Sequence, residues 1–226
     1  NMKNIIYIFL VLTTVTFSQT KIERNLGEFS KLAVYDGINV ELIKAEINKA
    51  EITGKNTKNV VIKNKNGDLK IRLNLEKRFS GDRTKVVLYY KNIYNLITHE
   101  GSNVFSKDTI DQADISLKAN SGSRQNFLLK LNTLNTTAFT GATINVSGSV
   151  QFHDSSASSG AKIYAEKLNS AEAYVGSSSG GVVSVSVEKE LEVNSKLGGV
   201  INVHTKTEKI TEIISLGGVV NYLYED

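Results

Sequence analysis

From Gly101 to Tyr224 one short pattern returns about every 19 residues, and this return limits the possible folds more than any other property of the chain. Each return opens on a glycine followed by a small residue: Gly101-Ser102, Gly122-Ser123, Gly141-Ala142, Gly160-Ala161, Gly180-Gly181, Gly198-Gly199 and Gly217-Gly218. The spacings are 21, 19, 19, 20, 18 and 19. A fixed period of this length marks a stacked, solenoid-like architecture rather than one globular core. Three and five residues after the glycine stand mainly aliphatic residues, as in Ile144 and Val146, Ile163 and Ala165, Val183 and Val185, or Ile201 and Val203. Side chains alternate faces along a strand, so both positions point the same way, which is taken as inward. The residue between them points out and forms the column Phe105, Asn126, Asn145, Tyr164, Ser184, Asn202 and Asn221.

A second apolar group follows in most turns: Ile115 and Leu117, Val150 and Phe152, Leu191 and Val193, Ile210 and Ile213. Each turn therefore holds at least two short strands and comes back to its start one level higher. The pattern predicts an all-β parallel β-helix with about 19 residues per rung, regular over 101–224. A β-sandwich also has short strands and glycine-rich turns, but it has no reason to return the same inward column at seven successive steps. The calcium-binding nonapeptide roll has a period of nine and aspartate-bearing turns, which this chain lacks. One rung alone is not expected to be stable. Fixing a residue costs about 1–2 kcal/mol, and the few inward Val or Ile of a rung return about 1.5–3 kcal/mol each. Stability must be shared along the stack.

Met2-Lys3-Asn4 and the apolar run from Ile5 to Leu12, with small residues at Thr16 and Ser18, predict a signal peptide over 1–18 and a mature start at Gln19. The mature chain, 19–226, reads as a single β-helix domain that is exported, either periplasmic or on the outer cell surface. The absence of cysteine leaves no lipid-attachment site and no disulfide framework. The absence of proline suits a structure that uses nearly every backbone N–H in a ladder. Charge is uneven. Residues 44–91 carry 13 Lys or Arg against 5 Asp or Glu, whereas 92–226 carry 10 against 14. A basic first third can face anionic polysaccharide or lipid head groups, or it can simply keep a solvated surface from aggregating. Nucleic acid is a poor partner, because no basic cluster is interleaved with aromatics.

Before the regular rungs, residues 27–100 read as an irregular β region that forms the first rungs or caps the stack. Two short strands flank Asp36-Gly37, and Asn66-Gly67 between apolar runs predicts a hairpin. The segments Phe29 to Leu42 with the triplet Gly37-Ile38-Asn39, Asn66-Gly67-Asp68-Leu69-Lys70-Ile71, and Leu96-Ile97-Thr98-His99-Glu100-Gly101-Ser102 resemble the head GIN domain family, the putative auto-transporter adhesins common in exported proteins of the Bacteroidetes. The resemblance covers nearly all of 27–223. It implies a right-handed β-helix of the pectate-lyase-like class, an extracytoplasmic location and a role in adhesion, and it brings no catalytic residues. The sequence shows no membrane-embedded barrel of its own, so, if the chain is an adhesin, it is not expected to be a self-sufficient auto-transporter.

Little in the sequence suggests a reaction centre. The three histidines, His99, His153 and His204, have neither cysteine partners nor zinc-site spacing, so no metal and no cofactor is expected. His153-Asp154 and the run Asp108, Asp111 and Asp114 are the acid-base candidates, and clustered carboxylates serve polysaccharide hydrolases and lyases. The aspartate run reads better as a soluble connector. The serine tracts at 155–159 and 177–179 read as small residues at tight bends, or as a hydroxyl-lined strip for sugar. The expectation is thus a non-enzymatic module binding a glycan or an envelope protein, with a carbohydrate-active enzyme as the alternative. Candidate binding residues are Asn126, Asn145, Tyr164, Asn202 and Asn221, although stacked asparagines also bond one another. Val182, Val200 and Val219 stand two residues after their glycines, where earlier turns carry Asn103, Arg124, Thr143 and Lys162. They form an outward apolar stripe suited to self-association.

Overall fold

The computed structural model describes residues 21–224, so the expected leader lies outside the described residues. The strands, in order, are β1 (Ile22–Asn25), β2 (Lys31–Val34), β3 (Asn39–Lys44), β4 (Lys49–Gly54), β5 (Val60–Lys65), β6 (Asp68–Leu73), β7 (Thr84–Tyr90), β8 (Asn95–Thr98), β9 (Asn103–Ser106), β10 (Ile110–Asp111), β11 (Asp114–Ala119), β12 (Arg124–Ala138), β13 (Thr143–Ser158), β14 (Lys162–Ser178), β15 (Val182–Lys196), β16 (Val200–Val203), β17 (Lys209–Ser215) and β18 (Val219–Tyr222). All belong to one sheet coiled on itself as a parallel β-solenoid. The expected columns are vertical neighbours: Val104, Gln125, Ile144, Ile163, Val183, Ile201 and Val220 follow one another in register. From Val104 to Ile201 they are fully buried.

Each regular rung is one bent strand closed by a two-residue corner. The glycine there has φ near +70°, and so does the residue before it, at about +50° in Ser121, Thr140, Ser159, Ser179, Leu197 and Leu216. Two successive left-handed residues make a tight reversal of the type I′ kind, closed by bonds such as Ala142 N–H to the Phe139 carbonyl at 3.2 Å. The small residue after the glycine faces inward. At Gly199 a Cβ would lie 2.4 Å from the Ser177 carbonyl oxygen of the rung below, so only hydrogen fits. The Ser177 hydroxyl uses the space at the neighbouring corner, donating to the Gly181 carbonyl at 2.7 Å.

Asp36-Gly37 is the same corner, with φ of 63° and 76°. It is therefore a rung corner between β2 and β3, the two short strands expected on either side of it. Asn66-Gly67, with φ of 53° and 86°, makes the expected hairpin of antiparallel β5 and β6. The first rungs are stacked out of chain order. β2 and β3 pair in parallel with β6 and β7 on one side and with β8 and β9 on the other. The region 27–100 thus both begins the stack and caps it, because antiparallel β4, with β1 beyond it, covers β7 while β5 covers β6. Charged side chains along β1 and β5 discourage further strand addition.

The second apolar group follows expectation at Ile115, Leu117, Val150, Leu191 and Val193, all buried, but two assignments are corrected. Phe152 is 41% exposed and His153 takes the inward place, in register with Leu134 and Ala173. Ile213 is 50% exposed, and Glu212 stands instead above Val193. The Tyr222 hydroxyl donates to the Glu212 carboxylate across the last rung. An inward charge at the terminal level is a device that blunts edge-to-edge growth.

Candidate functional site

The outward column Phe105, Asn126, Asn145, Tyr164, Ser184, Asn202 and Asn221 is in register from rung to rung, and its members do two different things. In the upper rungs the Asn221 amide donates to Asn202 Oδ1 at 3.0 Å, and the Asn202 amide to Ser184 Oγ at 3.3 Å. These two asparagines tie strands together. In the middle rungs Asn126, Asn145 and Tyr164 line an open cleft of about 360 Å³ with Val146, Ser147, Glu166 and Lys167.

The cleft arises because the rungs fall out of step there. Asn145 pairs with Tyr164 but Ser147 pairs with Lys167, and the next rung slips again between Ala165 and Asn169. Extra residues swing Glu166 and Lys167 against the column. Glu166 Oε2 is buried with no hydrogen-bond partner, while its backbone carbonyl accepts from Ser186 Oγ at 2.8 Å. Tyr164 and Asn145 are half-buried and Asn126 is exposed. An aromatic side chain beside two amides and a lysine can stack on a ring and hydrogen-bond its hydroxyls. Sequence reasoning found Asn126, Asn145 and Tyr164 but missed Glu166 and Lys167, which sit in the slipped segment where no period signals them.

The acid-base candidates do not assemble. His153 and Asp154 are consecutive in β13 and face opposite sides. His153 is buried in the core, its Nε2 2.8 Å from Thr136 Oγ1 and its Nδ1 unpartnered, and burial pushes its pKa down to about 4. Asp154 lies outside, its carboxyl raised by partial burial. Asp108, Asp111 and Asp114 are exposed, and Asp111 accepts from Lys130 Nζ at 3.0 Å. Among the described residues no group of His, Asp and Glu is arranged to hold a metal ion. The serine tracts divide by alternation: Ser155 and Ser177 are buried, Ser156 and Ser179 exposed, so they do not make one hydroxyl strip. Val182, Val200 and Val219 form a continuous outward stripe, in register, with Val219 43% exposed.

Fold and surface together define a β-solenoid that offers open clefts on its flanks. The family model described as "Putative auto-transporter adhesin, head GIN domain" matches residues 28–206, and the chain belongs to that family. Solved structures share the fold at low identity. A putative adhesin of Bacteroides fragilis superposes with a TM-score of 0.82 at 12% identity, over 93% of this chain and 98% of that one. A putative adhesin of Parabacteroides merdae gives 0.70 at 13%, over 92% and 97%. A putative lipid binding protein of Parabacteroides distasonis gives 0.69 at 16%, over 92% and 97%. No curated protein matches the chain. Among the described residues no helix is long and apolar enough to cross a membrane.

Proposed function

We propose that this chain is an exported, non-enzymatic binding module of the cell envelope that holds a glycan in the flank cleft of Asn126, Asn145 and Tyr164. The observation that carries the reading is the juxtaposition of Tyr164, Asn126 and Asn145 with Glu166 and Lys167 around one hollow. Such a hollow suits a neutral sugar, which needs a flat apolar face and several hydrogen-bond partners at once. The adhesin description of the family and the adhesins that share the fold support attachment over cleavage. The spread of the aspartates over separate connectors and columns supports it too. The valine stripe is assigned to self-association, side by side rather than end to end, because Glu212 blunts the last rung.

A glycan array on the mature protein, run beside Tyr164→Ala, tests the reading. We expect defined sugars to bind and to lose at least tenfold in affinity with the variant. Identical profiles for both proteins would place the ligand elsewhere. Turnover of a polyuronate that vanishes in Asp111→Asn or Asp154→Asn would make the chain an enzyme instead.

A further inference from the structure

At the opposite end of the stack the outer face of β5, β6, β2 and β8 carries charge that the protein itself does not balance. Antiparallel pairing sets Lys63 directly across from Lys70, and parallel pairing sets Lys70 beside Ala33. Arg72 lies two residues further along the same face, next to Tyr35, whose N–H donates to the Ile71 carbonyl at 3.0 Å. Like charges placed opposite one another destabilise a strand pair. Other cross-strand lysines face a carboxylate: Lys31 faces Asp68 at 3.6 Å on these same strands, and further along the stack Lys130 faces Asp111 at 3.0 Å and Lys209 faces Glu190. Among the described residues no carboxylate forms an ion pair with Lys63, Lys70 or Arg72.

The cations border a groove. Ala33 is short and leaves a hollow of about 400 Å³ lined by Lys31, Asp68, Lys70, Asn95 and Ile97, among others. A second hollow of about 380 Å³ adjoins it, sharing Tyr35 and Lys70 and continuing past Lys63 and Arg72 to Arg78. Tyr35 lies flat on His99, ring centres 4.8 Å apart and planes 4° from parallel, so the groove has a rigid aromatic wall. Its far end is fixed by a buried carboxylate. Asp36 Oδ2 accepts from the Leu73 N–H at 3.0 Å, and Oδ1 has no hydrogen bond and lies 3.8 Å from Arg78 Nε. Arg78 also reaches Glu100 at 3.4 Å, and so is held between two carboxylates. Burial, and then the nearness of Asp36, raise the Glu100 carboxyl above its usual range. Arg78 is thus neutralised in place, while Lys63, Lys70 and Arg72 are left for an outside anion.

We infer that this groove binds an acidic polysaccharide, its carboxylate or sulfate groups meeting Lys63, Lys70 and Arg72 and one sugar ring lying against Tyr35. The cations recur at roughly 5–7 Å, the spacing of adjacent strands and of alternate residues. A polymer with charges on successive rings meets several of them, whereas a single phosphate meets one. The site is independent of the flank cleft.

Binding of polygalacturonate to the mature protein, measured by titration calorimetry at 50 and 200 mM NaCl, tests the inference, with neutral dextran and vesicles rich in phosphatidylglycerol as the other arms. The expected result is binding of polygalacturonate but not dextran, weakened by salt. The triple variant Lys63→Gln/Lys70→Gln/Arg72→Gln loses at least tenfold with its circular dichroism unchanged. Tyr35→Ala, which leaves every charge in place, loses severalfold, and Tyr164→Ala loses nothing. The inference is overturned if polygalacturonate does not bind, if the triple variant binds it equally, or if only the vesicles bind.

Discussion

Burying His153 inside the solenoid makes stability depend on pH in a window where few other groups act. The unfolded chain takes up a proton on this imidazole near pH 6.5, whereas the folded chain resists until about pH 4. Its contribution is therefore complete above pH 6.5 and drains away as pH falls towards 4. Linkage between those two values gives a loss of about 2 kcal/mol from pH 7 to pH 5, rising to about 3 kcal/mol at pH 4. The ion-paired Glu28, Glu41 and Glu51, held below their ordinary range chiefly by hydrogen bonds from lysines, lose their contributions only below pH 4.5. Glu100 and Asp154, raised by burial, act with the opposite sign, and partly buried His99 acts with the same sign. All of these are common to the protein and to His153→Leu, so the difference between the two isolates one group. Leucine fills a similar volume, and Thr136 keeps its 3.0 Å bond to Ser155 Oγ. Urea unfolding at pH 7, 6 and 5 should show a decline about 2 kcal/mol larger in the parent than in His153→Leu. Equal slopes in both proteins would mean that the imidazole is not held neutral in the core, and the placement of β13 would be wrong.

Gly199→Ala forces a Cβ to within 2.4 Å of the Ser177 carbonyl oxygen, and overpacking of this kind costs roughly 1–3 kcal/mol. A melting temperature equal to that of the parent would contradict the close stacking of corners. Val200→Lys places a charge in the middle of the valine stripe and should convert any dimer to monomer in light scattering. A parent protein that is monomeric at every concentration would remove the assignment to self-association.

The period was legible because every rung repeats the same backbone demand, two left-handed residues, and glycine answers it at the second. The columns at Ile144, Ile163, Val183 and Ile201 followed from alternation alone. Alternation failed at Phe152 because Gln151 and Phe152 turn a corner as two consecutive exposed residues between buried Val150 and His153, and at Ile213 because the bend before it is one residue longer than in the rung below; one residue more exchanges the two faces. For the same reason Glu166 and Lys167 carried no signal. The stacking order of the first rungs was hidden because a local pattern says which residues face inward but not which strands become neighbours. The basic groove draws Tyr35, Lys63, Lys70, Arg78 and Glu100 from five separate segments, so only the charge excess of 44–91 hinted at it.

The middle position of the β2–β3 rung has a consequence for how the chain is made. Synthesis delivers the N-terminus first, so residues 31–44 emerge early yet gain both of their permanent neighbours only once residue 106 has followed. Winding cannot simply proceed from one tip to the other. Until β6 to β9 arrive, both edges of β2 and β3 wait unpaired and their apolar side chains Leu32, Val34, Val40 and Leu42 lack the neighbours that bury them.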